Sequence, residues 1–182
     1  MLPGAFVSDW GSFKAFSPDG RLVGIVAYSD PDAIHPDSLL IGEPNQARTK
    51  VLFSGAESLF PAKPVWSPTS DLVAAGTWGS GILVGNVRTG KVLRLYDENS
   101  GYCLPLWVSE TQLSVQNGSN LYLITVKKQP LARTTARQIA SNLTMDETDP
   151  VYLPTPVRWS DDGRFFAYMR RGVVTVLEDE RR

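Results

Sequence analysis

The sequence predicts an all-β fold, a β-propeller built of four-stranded antiparallel blades, because one unit recurs along the chain. Four times an aromatic residue is followed by a serine-headed turn and an apolar strand. The instances are Phe16-Ser17-Pro18-Asp19-Gly20, Trp66-Ser67-Pro68, Trp107-Val108-Ser109 and Trp159-Ser160-Asp161-Asp162-Gly163. The aromatics stand 50, 41 and 52 residues apart, which is the spacing of blades rather than of single hairpins. Four blades are visible, the last of them incomplete, over approximately 12–55, 62–97, 104–141 and 155–179 of a single domain spanning 1–182.

The second unit shows the pattern most fully. Residues 62–66 read as a short strand, and Ser67-Pro68-Thr69-Ser70-Asp71 as a turn in which Pro pre-sets the backbone and Ser or Asp caps its amides. Leu72–Trp78 reads as a buried strand, Gly79-Ser80-Gly81 as a reversal and Ile82–Val87 as a third strand. Arg88-Thr89-Gly90-Lys91 then turns the chain into Val92–Tyr96, which alternates apolar and polar like an outer strand. Four strands within about 35 residues make one blade.

The other units align with it. The first places strands at Ser12–Phe16, Arg21–Tyr28, Ser38–Gly42 and Lys50–Ser54, with a long loop over Ser29–Asp37. The third places them at Leu104–Val108, Gln112–Gln116, Leu121–Val126 and near Ala136–Ala140, with Asn117-Gly118 as a two-residue hairpin signal. The fourth has Pro156–Trp159, Arg164–Arg170 and Gly172–Leu177, and then only Glu178–Arg182, so its outer strand is missing. Gly4-Ala5-Phe6-Val7-Ser8 is short and apolar, and residues 1–8 are expected to supply that strand and cover the open sheet edge.

The pattern of aromatic, Ser-Pro-Asp-Gly and strand resembles the TolB-like and WD-repeat-like β-propeller families. Phe16–Val23 and Val157–Tyr168 carry the match most clearly, and the resemblance extends over nearly the whole chain. No unit ends in Trp-Asp and the Gly-His pair is absent, so the likeness leans to the TolB-like side. The third unit departs further, with Val108-Ser109-Glu110 in place of the turn motif. Such families mostly close rings of about six to eight blades, whereas four are visible here. Three arrangements would hide the apolar end faces: a four-bladed ring, a homodimer completing an eight-bladed ring, or a piece whose partners lie elsewhere. The resemblance implies a scaffold for protein–protein contact, or a propeller attached to an enzyme domain.

Composition narrows the function classes. Of 182 residues, 42% are hydrophobic and 20% charged, a globular balance. Eighteen basic residues against 19 acidic ones leave a net charge of −1, which argues against a nucleic-acid binder. The lone Cys103 permits no internal disulfide, which suits a reducing compartment. No basic and apolar leader opens the chain and no run approaches a membrane span, so a soluble, cytoplasmic protein is expected. The sequons at Asn117 and Asn142 carry little weight without a leader.

Few residues point to chemistry. His35, the single histidine, lies in a Pro- and Asp-rich loop with no Gly-x-Ser-x-Gly elbow and reads as an exposed loop side chain. Asp30, Asp32 and Asp37, and likewise Asp146, Glu147 and Asp149, lack the spacing of a calcium loop and read as solvated or turn-forming carboxylates. The sequence therefore predicts no catalytic residue, cofactor or metal site. Trp66, Trp107 and Trp159 recur at one position of the repeat and read as packing between blades. Trp78 and Trp10 break the pattern and are candidate anchors for a protein partner. Lys127, Lys128, Arg133 and Arg137 form the one basic stretch; it reads as edge protection, with Lys127, Lys128 and Arg133 as further partner candidates. The expectation is a non-enzymatic scaffold for protein–protein interaction. The alternative is the gating portion of a prolyl-oligopeptidase-like hydrolase whose catalytic domain is not in this chain.

Overall fold

The computed structural model describes residues 13–30, 32–44, 46, 48–55, 58–60, 62–78, 81–95, 103–117, 120–141, 157–170 and 173–179. Among them every regular element is a strand, and the strands form four antiparallel sheets. The first holds β1 (Phe13–Phe16), β2 (Val23–Ala27), β3 (Ser38–Gly42) and β4 (Thr49–Ser54). The second holds β5 (Val65–Trp66), β6 (Leu72–Gly76), β7 (Ile82–Asn86) and β8 (Val92–Leu95). The third holds β9 (Cys103–Trp107), β10 (Gln112–Asn117), β11 (Asn120–Lys128) and β12 (Leu131–Ala140). The fourth holds β13 (Arg158–Trp159), β14 (Phe165–Arg170) and β15 (Val173–Glu178). Each strand pairs with its neighbour in sequence, so every sheet is a meander.

The serine-headed turn is built alike in three sheets. Ser17, Ser67 and Ser160 each donate a backbone N–H to the first residue after the turn (Leu22, Leu72, Phe165) at 2.9 Å. Their hydroxyls accept the returning amides of those residues at 2.9, 3.0 and 3.0 Å. Three positions past each serine the chain must enter the left-handed region, and Gly20, Ser70 and Gly163 stand there with φ of 70°, 60° and 65°. Asp19 and Asp162 tighten their turns by accepting from Ser17 Oγ and Ser160 Oγ, both at 2.6 Å. The Ser17 hydroxyl, and then the Arg21 amide, hold the Asp19 carboxyl below its usual range.

The third turn is one residue shorter. Phe16 pairs with Val23, Trp66 with Val73 and Trp159 with Phe166, but Trp107 pairs with Leu113. With no left-handed position to fill, this turn has no need of glycine. Ser109 keeps the capping role and accepts from Gln112 N at 3.2 Å.

Sheets stack through one recurring contact. Trp66 Nε1 donates to Ala15 O at 2.9 Å, and Trp107 Nε1 donates to Val65 O at 3.2 Å. In each case the acceptor is the residue before the aromatic of the preceding sheet. At the third junction Trp159 Nε1 donates to Ser114 Oγ at 3.0 Å, and Ser114 Oγ donates onward to Leu106 O at 3.1 Å. Leu106 precedes Trp107, so the hydroxyl relays the same bond to the equivalent carbonyl. Burying one such indole contributes on the order of 5 kcal/mol at most, against about 1 kcal/mol net for its hydrogen bond. Burial supplies the attraction and the hydrogen bond sets the position.

The cores follow. Val26, Leu39, Ile41 and Leu52 of the first sheet meet Leu59, Val73, Ala75 and Leu83. Leu72, Ala74, Ile82, Val84 and Leu95 of the second meet Cys103, Leu113, Val115, Ile124 and Val126. The second sheet is thus buried on both faces, which is why β6 reads as a continuous apolar run. A smaller cluster of Leu121, Val157 and Phe166 joins the third and fourth sheets. Gly76 permits the closest approach: a Cβ there would lie 2.0 Å from the Cys103 carbonyl oxygen.

Two expectations are corrected. The outer strand of the third sheet does not begin near Ala136. It runs from Leu131 and pairs along β11 out to Lys128, because only two residues, Gln129 and Pro130, separate the two strands. Asn117 belongs to β10 and pairs with Asn120, so the connection falls at 118–119, one position after the Asn117-Gly118 pair. The proposed closing segment 1–8, Trp10 and the Asp146, Glu147 and Asp149 cluster lie outside the described residues.

Five substitutions at four positions test this account by urea unfolding. Trp66→Phe, which keeps the ring and removes the N–H, should cost about 1–2 kcal/mol, and Trp66→Ala about 3–5 kcal/mol. Gly76→Ala should cost about 3 kcal/mol and more than Gly85→Ala, because the added methyl of the former meets backbone and that of the latter the Leu52 side chain. Ser70→Gly should stabilise by about 0.5–1 kcal/mol by relieving the left-handed backbone. Equal effects of the two alanines, or a loss from Ser70→Gly, would contradict the geometry.

Candidate functional site

In a meander alternate turns lie at opposite ends of the strands, so the four sheets present two faces. One carries the serine-headed turns and the 3–4 turns; Lys128 at the end of β11 reaches Thr69 and Asp71 of one serine turn and Glu110 of the next. The opposite face carries the 2–3 loops, including residues 28–37 and 77–81.

On that second face an apolar platform forms around Trp78. Its ring centre lies 5.1 Å from that of His35 and 5.1 Å from that of Phe60. Trp78 remains 37% exposed, and Ile34, beside His35, is 86% exposed. The backbone beneath is pinned. Leu59 N donates to Pro36 O at 2.6 Å, Phe60 N to Gly76 O at 2.9 Å and Trp78 N to Ser58 O at 2.9 Å. Thr77 bonds Gly81 O through both its amide (3.0 Å) and its hydroxyl (2.9 Å). Trp78 is therefore held at the surface on a pinned backbone, and Ile34 stands exposed two positions before the bonded Pro36.

The loop carboxylates serve the backbone. Asp37 Oδ1 accepts from Ser29 N at 2.8 Å and Ser38 Oγ at 3.0 Å, its Oδ2 accepts from Ser29 Oγ, and Asp30 Oδ1 accepts from Asp32 N at 2.9 Å. Among the described residues no group of three or more His, Cys, Asp or Glu is placed to hold a metal ion. Asp30 and Asp32 stay exposed and give the platform an acidic rim.

The partner candidates named from the sequence are not brought together. Trp78 stands on the 2–3 loop face. Lys127, Lys128 and Arg133 lie at the other end of the third sheet, on its outer strands. Lys128 is engaged by Asp71 at 3.2 Å and Glu110 at 3.4 Å and so bridges two sheets. Arg137 pairs with the buried Asp179 across to the fourth sheet. Lys127 and Arg133 are exposed. Ile34 and Phe60 were missed from sequence, although an isoleucine in a Pro- and Asp-rich loop much longer than its counterpart in the second unit was a readable signal.

Cys103 is packed among Leu72, Ile82 and Leu95. Burial pushes its thiol up to about 11, and the backbone at Gly81 pulls weakly the other way.

Comparison with known proteins bears on the fold alone. No family model matches the chain, and no curated protein matches it. Solved structures do. The propeller domain of Myceliophteria thermophila Cps50 (Swd1) superposes with a TM-score of 0.65 at 9% identity, covering 98% of this chain and 55% of that one. A structure of a mitotic checkpoint complex gives 0.63 at 13% identity, over 97% of this chain and 48% of that one. The chain is a β-propeller in fold. An oligogalacturonate lyase in complex with manganese gives 0.62 at 11% identity, over 95% and 52%. The propeller described here thus spans about half the length of the structures it matches, and its neighbours are WD-type and TolB-like propellers, as the turn motifs suggested.

Because Cys103 keeps its proton in the folded state, it should resist a thiol reagent at pH 8 and react fully in urea. The sign of its pH effect follows from the raised value. Above about 9 the unfolded chain releases the thiol proton while the folded chain holds it to about 11, so stability falls as pH rises through that window. Unfolding titrations should show wild type losing on the order of 2 kcal/mol more than Cys103→Ala between pH 8.5 and 11.

Proposed function

We propose that this propeller is a non-enzymatic scaffold that docks a protein partner on the Trp78 platform. One observation carries the reading: Trp78 is partly exposed between ring contacts to His35 and Phe60, on a backbone fixed by hydrogen bonds, and Ile34, next to His35 in the chain, is exposed as well. Large apolar side chains held in advance at a surface lose little freedom on binding, and tryptophan is prominent among the residues that dominate interfaces. The acidic rim of Asp30 and Asp32 favours a partner that presents an apolar anchor flanked by Lys or Arg. Among the similar structures, one is of a complex of the mitotic checkpoint, which accords with a propeller used for assembly. The single histidine is spent in a ring contact with Trp78, which also suits a binding surface better than catalysis.

The test compares wild type with Trp78→Ala and Ile34→Ser as baits, followed by titration of the purified captured partner. Either substitution should weaken binding at least tenfold, whereas Lys127→Gln should change it less than twofold. A partner held equally by wild type and Trp78→Ala would place docking elsewhere.

We further propose that residues 4–8 supply the fourth strand of the last blade. Among the described residues β15 pairs with β14 alone, so its outer edge is able to accept a short further strand. Light scattering should give 20.0 kDa for the chain, and deletion of residues 1–8 should produce association. A wild-type mass of twice 20.0 kDa would instead assign that surface to a second copy completing a larger ring.

A further inference from the structure

The first strands of successive blades lie together, β1 against β5 and β5 against β9. Between β5, β9 and β13 they leave a cavity of about 190 Å³. Its deep side is formed by Ser114, Gln116 and Leu121, all buried, and its mouth by the exposed Lys63 and Arg158. The remaining wall is mostly apolar, with Val65 and Leu106 among its residues. None of the residues around it is acidic, and among the described residues neither Lys63 nor Arg158 forms an ion pair. Arg158 makes one long bond, Nη1 to Val157 O at 3.5 Å, which leaves most of its guanidinium donors for another acceptor.

A cavity of this kind selects by charge and by size. Two cations over an apolar pocket recognise a single negative charge carried on a small apolar body. The guanidinium offers paired donors that fit a carboxylate, and the ammonium adds a point charge. A dianionic phosphate would leave oxygens against Leu and Val side chains, where desolvation opposes it. The volume corresponds to about six waters, enough for a branched aliphatic acid or one terminal side chain.

We propose that this central cavity is a binding site for a carboxylate with a small apolar body. The same chemistry is offered by a free aliphatic acid and by the terminal carboxylate of a peptide ending in an apolar residue. Arg158 and Lys63 hold the carboxylate, and the apolar wall takes the body. The site is independent of the Trp78 platform and survives the failure of docking there.

The structure also supplies a probe. Trp159 Nε1 donates to Ser114 Oγ on the cavity wall, so its indole N–H resonance reports occupancy. The 182-residue chain is titrated with 4-methylpentanoate, with its neutral amide, and with a pentapeptide ending in leucine as the free acid and as the amide. Expected is a saturable shift of that resonance with the acids and none with the amides. Arg158→Gln and Lys63→Gln should each weaken acid binding about tenfold, and Lys14→Gln, outside the cavity, should leave it unchanged. Tighter binding of the peptide acid would identify a chain terminus as the source, and tighter binding of the aliphatic acid a free metabolite. Equal shifts with acid and amide, no saturable shift with either acid, or an equal loss from Lys14→Gln would overturn the proposal.

Discussion

A tryptophan placed at the end of the first strand in the second, third and fourth blades, its N–H aimed at the preceding blade, is the constraint on which the rest of this propeller rests. A sheet stacked on a sheet through apolar side chains alone can slide, because hydrophobic attraction has no direction. The indole removes that freedom. Its ring fills the wedge between blades and its nitrogen picks out one carbonyl, so each blade is positioned against the last to within a hydrogen bond. The two faces inherit their order from this. Once the first strands are in register, the serine turns of neighbouring blades come close enough for Lys128 to span Thr69, Asp71 and Glu110.

Much of the architecture was legible from the chain because it is written in local chemistry. Serine turns, an aromatic at a fixed place and short apolar runs located nearly every strand to within about two residues. The misreading at β12 has a plain cause. Arg133, Thr134, Thr135 and Arg137 carry no apolar alternation, since an outermost strand is wet on most sides, so only its pairing with β11 reveals it. The site was legible in smaller part. Trp78 stood out because it broke the repeat, yet its neighbours His35 and Phe60 come from two other segments, and nothing in their spacing along the chain predicts that they meet. The same limit hid the juxtaposition of Lys63 and Arg158, which are 95 positions apart in sequence.

Charge on this surface divides by role in a way that counting residues misses. A net of −1 suggests a bland exterior, but the individual groups do different work. Lys128 and Arg137 tie blades to one another, Asp30 and Asp37 brace a loop, and Arg164 pairs with Glu178 within the last blade at 2.8 Å. Such pairs contribute little individually when exposed. What they determine is which neighbouring turns stay together, and by elimination which charges are left to meet something outside the molecule.

The relay at the third junction differs from the other two in kind. Where a main-chain carbonyl receives the indole directly, the seam is fixed by groups that no substitution can remove from the acceptor side. Where Ser114 stands between, the seam depends on a side chain that evolution is able to exchange. One mutational step to alanine would unlatch that joint, and a step to a longer polar residue would re-space it, without disturbing the other two. The last blade is therefore the one among these three whose indole bond to its neighbour is open to evolutionary exchange, while Arg137–Asp179 and the Leu121, Val157 and Phe166 cluster hold the rest of the seam.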